Sequence, residues 1–231
     1  MTPQTEAAEA IRRGASPRRV LGWVVGVLHR PTPTLAEVAR VRPVGWGVGV
    51  VAAQAVVTAL AQPTVRAEQV LPPEAWEVLE VPPETLEGLG KLTLGLQPEH
   101  LVAAPLAAIL GTLVAVAIYY ATGWLFGGRA AFASLFACFC FASVPLVLLA
   151  PLRVAALALP PLTTLALYVV AGLALLAWNW LLWYVGIRET FRFGSGRALA
   201  VFLVPHLVFL GAATLFLLLL LVLVAFLMGA G

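Results

Sequence analysis

Long apolar runs separated by short polar connections occupy most of the chain. The runs cover about residues 44–61, 101–126, 130–150, 159–187 and 198–228. A helix needs roughly 17–25 apolar residues to cross the hydrocarbon core of a bilayer, which is about 30 Å thick. The pattern therefore predicts an all-α integral membrane protein, a bundle of five transmembrane helices. The last run is long enough for its helix to tilt or to bend at Pro205.

The composition agrees with this pattern and leaves little room for a soluble part. Hydrophobic residues make up 61% of the 231 residues, charged residues make up 11%, and the mean hydropathy is +0.98. Soluble domains carry about 45–50% apolar and about 25% charged residues. The predicted organisation is a basic N-terminal segment, 1–43, followed by one membrane domain, 44–228.

The N-terminal segment contains a short apolar stretch with basic flanks at residues 16–30. Arg18 and Arg19 at its start resemble a twin-arginine signal, but the stretch is too short to span a membrane and no small-residue cleavage site follows it. The sequence favours a different interpretation over a signal peptide. It predicts an amphipathic helix that lies in the headgroup layer on the cytoplasmic side, with Trp23 in its apolar face.

The connection 62–100 is long and acidic. It contains the near-repeat LPPE at 71–74 and VPPE at 81–84, and a proline at the first helical position with glutamate in the first turn indicates a helix start. Two short amphipathic helices, 74–79 and 84–94, are predicted at the extracytoplasmic membrane surface. We predict that their acidic face is solvated, with binding of a partner or a cation as the alternative.

Small residues recur at a spacing of four in the first span, at Gly45, Gly49 and Ala53. This spacing places them on one helix face, where a second helix can approach closely. The sequence favours packing within the chain over dimerisation at this face, and it leaves formation of a homo-oligomer open.

Basic residues in the connections predict the orientation. With the N-terminus in the cytoplasm, the cytoplasmic segments hold eleven arginines, including those of the turn 127–129 and the loop 188–197. The opposite side, which includes a predicted tight turn at 151–153, holds three basic residues and seven glutamates. By the positive-inside rule, the N-terminus is cytoplasmic and the C-terminus extracytoplasmic.

The apolar runs offer little reactive chemistry. No Asp, Glu, Lys or Arg lies inside the five spans as drawn, and the chain has no His-Glu-x-x-His helix and no Gly-x-Ser-x-Gly turn. Cys138 and Cys140 are two residues apart, about 200° around a helix, so they cannot share a metal ion. We predict no enzyme activity, no cofactor and no metal site.

His206 is the strongly ionisable residue within the spans, and it follows Pro205. An ionisable side chain at membrane depth indicates a functional site. The alternative is a structural role, in which a neutral imidazole is hydrogen-bonded to a backbone carbonyl. The absence of a second histidine or acid favours this structural role. The polar residues that are candidates to share an intramembrane site with His206 are Gln54, Ser143, Thr163 and Tyr168.

The basic N-terminal segment is predicted to contact anionic lipid. A basic side chain close to a negatively charged membrane surface contributes about 1 kcal/mol to the free energy of membrane binding. A strip of arginines beside a membrane indicates orientation rather than nucleic-acid binding, so the expected partners are membrane lipids and a protein at the cytoplasmic face. The predicted lipid contacts are Arg12, Arg13, Arg18, Arg19 and Arg30.

Several short motifs recur in an order that resembles the Yip family, the Ypt-interacting proteins, in particular its prokaryotic branch. They are LHRPTPT at 28–34, GGRAAF at 127–132, ASVP at 142–145, GIR at 186–188 after Trp180, and GSGRA at 194–198. The resemblance covers about residues 28–218. It implies five spans with an inside N-terminus and no known catalytic residues, in a prokaryotic inner or plasma membrane. Eukaryotic members bind Rab-type GTPases, but their long N-terminal regions have no counterpart in the roughly forty residues before the first span.

Two functions follow from these observations. The first is a non-enzymatic membrane protein that organises the bilayer or scaffolds partners. The alternative is a transporter, channel or lipid-translocating pathway for a small or lipidic molecule, with the candidate polar residues around a central cleft and proline-broken helices beside it.

Overall fold

A computed structural model describes residues 15–61, 65–66, 93–94, 100–156 and 159–229. These residues are mainly helical, as the apolar runs predict. In chain order the elements are α1 (Pro17–His29), α2 (Pro31–Val41), α3 (Val44–Leu60), β1 (Val65–Arg66), β2 (Thr93–Leu94), α4 (His100–Leu125), α5 (Phe132–Ala142), a 3₁₀ helix (Val144–Leu148), α6 (Leu149–Ala156), α7 (Pro161–Phe191) and α8 (Ser195–Gly229).

Four stretches of the described residues are long and apolar enough to cross a membrane. They are Leu101–Leu125, Phe132–Ala155, Ala166–Phe191 and Ser195–Leu221. The apolar helix α3 is shorter, with 17 residues, and extends about 25 Å at 1.5 Å per residue. The chain is therefore a multi-pass membrane protein.

The third predicted span is interrupted, and the predicted turn after it is wrong. The helix α5 ends at Ala142, a 3₁₀ segment covers Val144–Leu148, and α6 continues through the predicted turn at 151–153. Pro145 follows Val144 at the start of the 3₁₀ segment, and proline cannot donate the backbone hydrogen bond that would continue α5. Pro151 lies in the first turn of α6, where its missing N–H would have no helical partner in any case.

The fourth span continues further than the sequence predicts. The predicted loop 188–197 shrinks to Arg192, Phe193 and Gly194, because α7 extends to Phe191 and α8 begins at Ser195. Arg188 and Glu189 form an ion pair of 2.7 Å inside the last turn of α7, so the charges no longer require a loop. Charged residues thus lie near the ends of the candidate spans.

The predicted helix 84–94 is wrong at its end. Thr93–Leu94 is a strand that pairs antiparallel with Val65–Arg66, with Val65 opposite Leu94. Two of the four residues are β-branched, which favours the extended backbone. The predicted helix 74–79 and the rest of 84–94 lie outside the described residues.

The packing within the chain that the sequence favours for the small-residue face of the first span is also wrong. Gly45, Gly49 and Ala53 are exposed, and a Cβ added at either glycine would meet no atom within 4 Å. The buried stripe of α3 is displaced by two residues along the chain and consists of Gly47, Val51, Ala55 and Ala59. At Gly47 an added Cβ would lie 2.9 Å from the Cβ of Cys140, so the close approach occurs there.

The chain divides into two packed units. The first contains 1–47, 112–142 and 180–231, and the second contains 48–111 and 143–179. In the first unit, α5 is buried from Ser134 to Ala142, and α1 and α2 pack on it and on each other. In the second unit, Arg153 of α6 donates a 2.7 Å hydrogen bond to the Thr58 carbonyl near the end of α3.

Candidate functional site

The helix pair α1–α2 (residues 16–42) forms most of the described part of the N-terminal segment. Ser16 caps α1, with its hydroxyl accepting a 3.4 Å hydrogen bond from the Arg19 N–H, and Pro17 occupies the first helical position. The helix α2 was not predicted from the sequence. Its signals are Pro31 at the start and the apolar spacing of Leu35, Val38 and Ala39, all of which are buried.

One face of α1 is part of the protein core. Val20, Trp23 and Val27 are buried, and the Trp23 ring lies edge-on against Phe141 of α5 with centroids 5.7 Å apart. Trp23 is 3% exposed, so its bulk packs within the first unit. The amphipathic spacing in the sequence predicted the apolar face of α1, but this face packs on α5 and not on lipid.

A second apolar face of α1 remains uncovered. Leu21 and Val25 are 64% and 55% exposed. They lie about 100° and 140° around the helix from Val20, at about 100° per residue. Exposed Arg18 and His29 follow at the edge of this face. The helix therefore presents apolar residues in two directions, one toward the protein and one away from it.

An ion pair joins the two helices. The Arg19 guanidinium donates hydrogen bonds of 2.7 and 3.0 Å to one carboxylate oxygen of Glu37, and it also lies 5.3 Å from the centre of the Trp23 ring. Burial alone would raise the pKa of Glu37, but the hydrogen bonds from Arg19 and the nearby charges of Arg19 and Arg40 outweigh it and hold this pKa below its ordinary value. The buried Trp23 indole N–H makes no hydrogen bond to any described residue.

The predicted lipid-binding arginines divide into three groups. Arg12 and Arg13 lie outside the described residues. Arg18 and Arg30 are exposed. Arg19 is also exposed, with 41% of its side chain accessible, but it is bound to Glu37. Among the described arginines of this set, Arg18 and Arg30 are the two that present their charge without an ion pair to a described residue.

His206 lies in a cluster of aromatic rings in the first unit. The ring centroids of Phe202 and Trp180 are 4.7 and 5.1 Å from that of His206. The hydroxyl of Tyr119 is 3.2 Å from His206 Nδ1, and Tyr119 in turn contacts Phe139, Trp183 and Phe202. Tyr119 is buried, so this aromatic cluster is part of the core of the first unit.

The imidazole of His206 bonds to a carbonyl of its own helix. Its Nδ1 is 2.9 Å from the carbonyl oxygen of Phe202, one turn earlier. The carbonyl that Pro205 leaves without an N–H partner belongs to Val201, four residues before the proline. The acceptor is therefore the carbonyl next to the released one. This geometry agrees with the structural interpretation of His206, in which the ring is held by a carbonyl and aromatic contacts.

The other four candidate polar residues belong to the second unit, whereas His206 belongs to the first. Gln54 contacts Thr58 of its own helix at 3.4 Å, and the Thr58 hydroxyl donates a 2.7 Å hydrogen bond to the Gln54 carbonyl. Thr163 is exposed and Tyr168 is half-buried on α7, and Ser143 immediately precedes the 3₁₀ segment. Gln54 thus makes these polar contacts with a residue of its own helix.

Nucleophilic and metal-ligating side chains are sparse in the described part of the chain. Cys138 and Cys140 are buried thiols, and the Cys138 thiol donates a 3.5 Å hydrogen bond to the Leu35 carbonyl of α2. Within the described ranges, no three His, Cys, Asp or Glu side chains are grouped so that they could hold a metal ion.

Comparison with known proteins gives one match. A model of the Yip1 domain matches residues 25–231, a stretch that includes α2, α3 and all four candidate spans. No curated protein and no solved structure matches the chain.

Proposed function

The chain belongs to the Yip1 domain family, as its motifs predict, and from this premise we propose that it is a non-enzymatic membrane protein that organises the bilayer and scaffolds partners. In this proposal α3 is a fifth span, the N-terminus is cytoplasmic and the C-terminus extracytoplasmic, in a prokaryotic plasma membrane. At about 25 Å, α3 is near the lower limit for a span.

The observation that carries the proposal is the second apolar face of α1. Leu21 and Val25 face away from the protein, beside Arg18, on a helix that is fixed to α5 by Trp23. An exposed apolar stripe flanked by cations is typical of a helix that lies in the headgroup layer. Because α1 is packed on the protein, its insertion would perturb the cytoplasmic leaflet at a fixed place beside the spans.

Spin labels on α1 test this proposal. Leu21→Cys is expected to place its spin label in lipid. There, collisions with molecular oxygen should relax the spin label more strongly than collisions with a water-soluble nickel complex. Gly22→Cys is the matched control, because Gly22 is exposed and an added Cβ there meets nothing within 4 Å. Its label is expected in water. Labels that are equally accessible to the nickel complex at both positions would reject the membrane-organising role of α1.

The alternative of a transport pathway is favoured by one observation, the 3₁₀ interruption at Val144–Leu148 within a candidate span. Broken helices at membrane depth are tolerated where they line a cavity or are buried in protein. A water-soluble thiol reagent should label Ser143→Cys in reconstituted protein if the break lines an aqueous path. If Ser143→Cys is not labelled while Gly22→Cys is labelled normally, the transport pathway is rejected and the scaffold proposal is retained.

A further inference from the structure

Four arginines line one cavity in the first unit. The cavity has a volume of about 890 Å³ and is formed by the second half of α2, the α4–α5 connection and the end of α7. Arg40 lines it from α2 and Arg42 from the position after that helix, Arg129 from the connection, and Arg192 from the position after α7. None of the four is among the arginines that the sequence assigns to lipid contact. Arg40 and Arg42 are neighbours in sequence, but Arg129 and Arg192 are far from them, and only the fold brings the three segments together.

The acidic residues of the cavity are already paired. Glu37 is bound by Arg19 at 2.7 Å, and Glu189 is bound by Arg188 at 2.7 Å. The four lining arginines form no ion pair with any described residue. Arg19 and Arg188 do not line the cavity, but each pairs with one of its two carboxylates, so the four lining arginines leave a formal charge of +4 around the cavity. An unbalanced charge of this size attracts an anion.

Two of these arginines have an unusual backbone conformation. Arg42 has φ 57° and Arg192 has φ 55°, and they are the described non-glycine residues with positive φ. The left-handed conformation is unfavourable for a non-glycine residue, and glycine is the usual residue at such helix ends. The attraction between a cation and a helix C-terminus is too weak to offset this cost. The side chains at these two positions are therefore expected to have a further role.

The cavity lies at the level where the candidate spans end. Arg129 follows the span that ends at Leu125, and Arg192 directly follows the span that ends at Phe191. Ser134, which also lines the cavity, lies two residues into the span that begins at Phe132. The ends of membrane spans are at the depth of lipid headgroups, where phosphate groups are abundant. A ligand of the cavity can thus remain in the bilayer while its headgroup enters.

We propose that this cavity binds the phosphate-bearing headgroup of an anionic lipid that carries at least two negative charges. A single phosphodiester would neutralise one of the four unpaired guanidiniums, whereas a headgroup with two phosphates matches them better. The volume is within the range of about 300–1,000 Å³ that is typical of small-molecule sites. The inference rests on the proposed function, since it names a lipid that the basic face would recruit.

The test counts lipids bound to the whole chain in neutral detergent by native mass spectrometry. The titrants are cardiolipin, with two phosphates, phosphatidylglycerol, with one, and zwitterionic phosphatidylcholine. Wild-type protein is expected to hold one cardiolipin more tightly than either of the others. R42G/R192G is expected to bind it about tenfold or more weakly, because charge-assisted hydrogen bonds are lost. Glycine also relieves the positive φ, so this variant should unfold no more easily than wild type.

A matched control separates the cavity from general attraction. R18Q/R30Q removes two charges from exposed positions outside the cavity and measures that general attraction, so it should weaken cardiolipin binding much less than R42G/R192G does. If R42G/R192G does not fold, R40Q/R129Q removes two cavity charges without changing those turns. Equal weakening by cavity and control variants, or no weakening by either cavity variant, would overturn the proposal.

A soluble arm identifies the source of the phosphate. Inorganic pyrophosphate is expected to compete weakly, because it lacks the acyl chains that hold a lipid at the site. Full displacement of cardiolipin by pyrophosphate at equal concentration would overturn the lipid assignment in favour of a soluble phosphate ligand. This failure is distinguishable from failure of the proposed function, since the spin labels on α1 report membrane contact without regard to the cavity.

Discussion

The helices α1 and α2 approach each other closely at Gly26, and this contact provides a direct test of their packing. A Cβ added at Gly26 would lie 2.5 Å from Thr34 Oγ1 and 3.2 Å from Thr34 Cγ2. The Thr34 hydroxyl donates a 2.8 Å hydrogen bond to the Arg30 carbonyl, so rotation of Thr34 to make room would break that bond. Gly26→Ala is therefore expected to loosen the contact between the helices.

The expected magnitude follows from a comparison with Gly22 in the same helix. Alanine is favoured over glycine in a helix by about 0.8–1.0 kcal/mol, so Gly22→Ala, whose new Cβ meets nothing, should stabilise α1 by about that amount. Gly26→Ala gains the same term, but overpacking costs about 1–3 kcal/mol. The two variants are thus expected to differ by about 1–3 kcal/mol in the free energy of opening α1.

Amide hydrogen exchange over residues 17–29 in detergent micelles measures this free energy, because it reports local opening. Gly26→Ala should reduce protection and Gly22→Ala should raise it. The double variant G26A/T34A should restore protection, since the Cβ that remains at position 34 is 3.4 Å away, an ordinary contact. Equal protection in the two single variants would refute the close approach of α1 and α2.

Two further predictions concern single polar contacts. The lowered pKa of Glu37 means that the Arg19–Glu37 pair stabilises the fold above the ordinary value of 4.5, and that this contribution, about 0.2–1 kcal/mol for a half-exposed pair, is lost as the pH falls through the lower folded value. In E37Q, exchange protection of α1 should lose this pH dependence, and an unchanged profile would contradict the assignment. Tyr119→Phe should lower stability in mild detergent by about 0.5–1.5 kcal/mol by deleting the hydroxyl contact to His206, and unchanged stability would show that the contact contributes nothing.

The apolar pattern predicted where membrane-crossing helices lie, but it predicted poorly how they end. The runs 101–126 and 198–228 correspond to the helices His100–Leu125 and Ser195–Gly229. The apolar character of a span is a sum over many consecutive residues and does not depend on which other helices it contacts. It can therefore be recognised without the tertiary structure. By contrast, the charges of Arg188 and Glu189 predicted a loop. The sequence alone does not show that these two adjacent charges form an ion pair with each other inside a helix.

The face of a helix that packs inward was a matter of tertiary structure. The spacing of Gly45, Gly49 and Ala53 is as regular as that of Gly47, Val51 and Ala55, and the buried set is the one with Gly47 against Cys140. Both faces of α3 are apolar and rich in small residues, so amphipathicity cannot choose between them. The choice depends on which face has a neighbouring helix of matching shape.

The sequence by itself determined that this chain resides in a membrane and belongs to its family, because apolar length and motif order are properties of the chain alone. Only the tertiary structure decided which polar groups meet. It placed His206 among Tyr119, Trp180 and Phe202, and it joined Arg42, Arg129 and Arg192 around one cavity. Such groupings arise from contacts between segments far apart in sequence, and local periodicity carries no record of them.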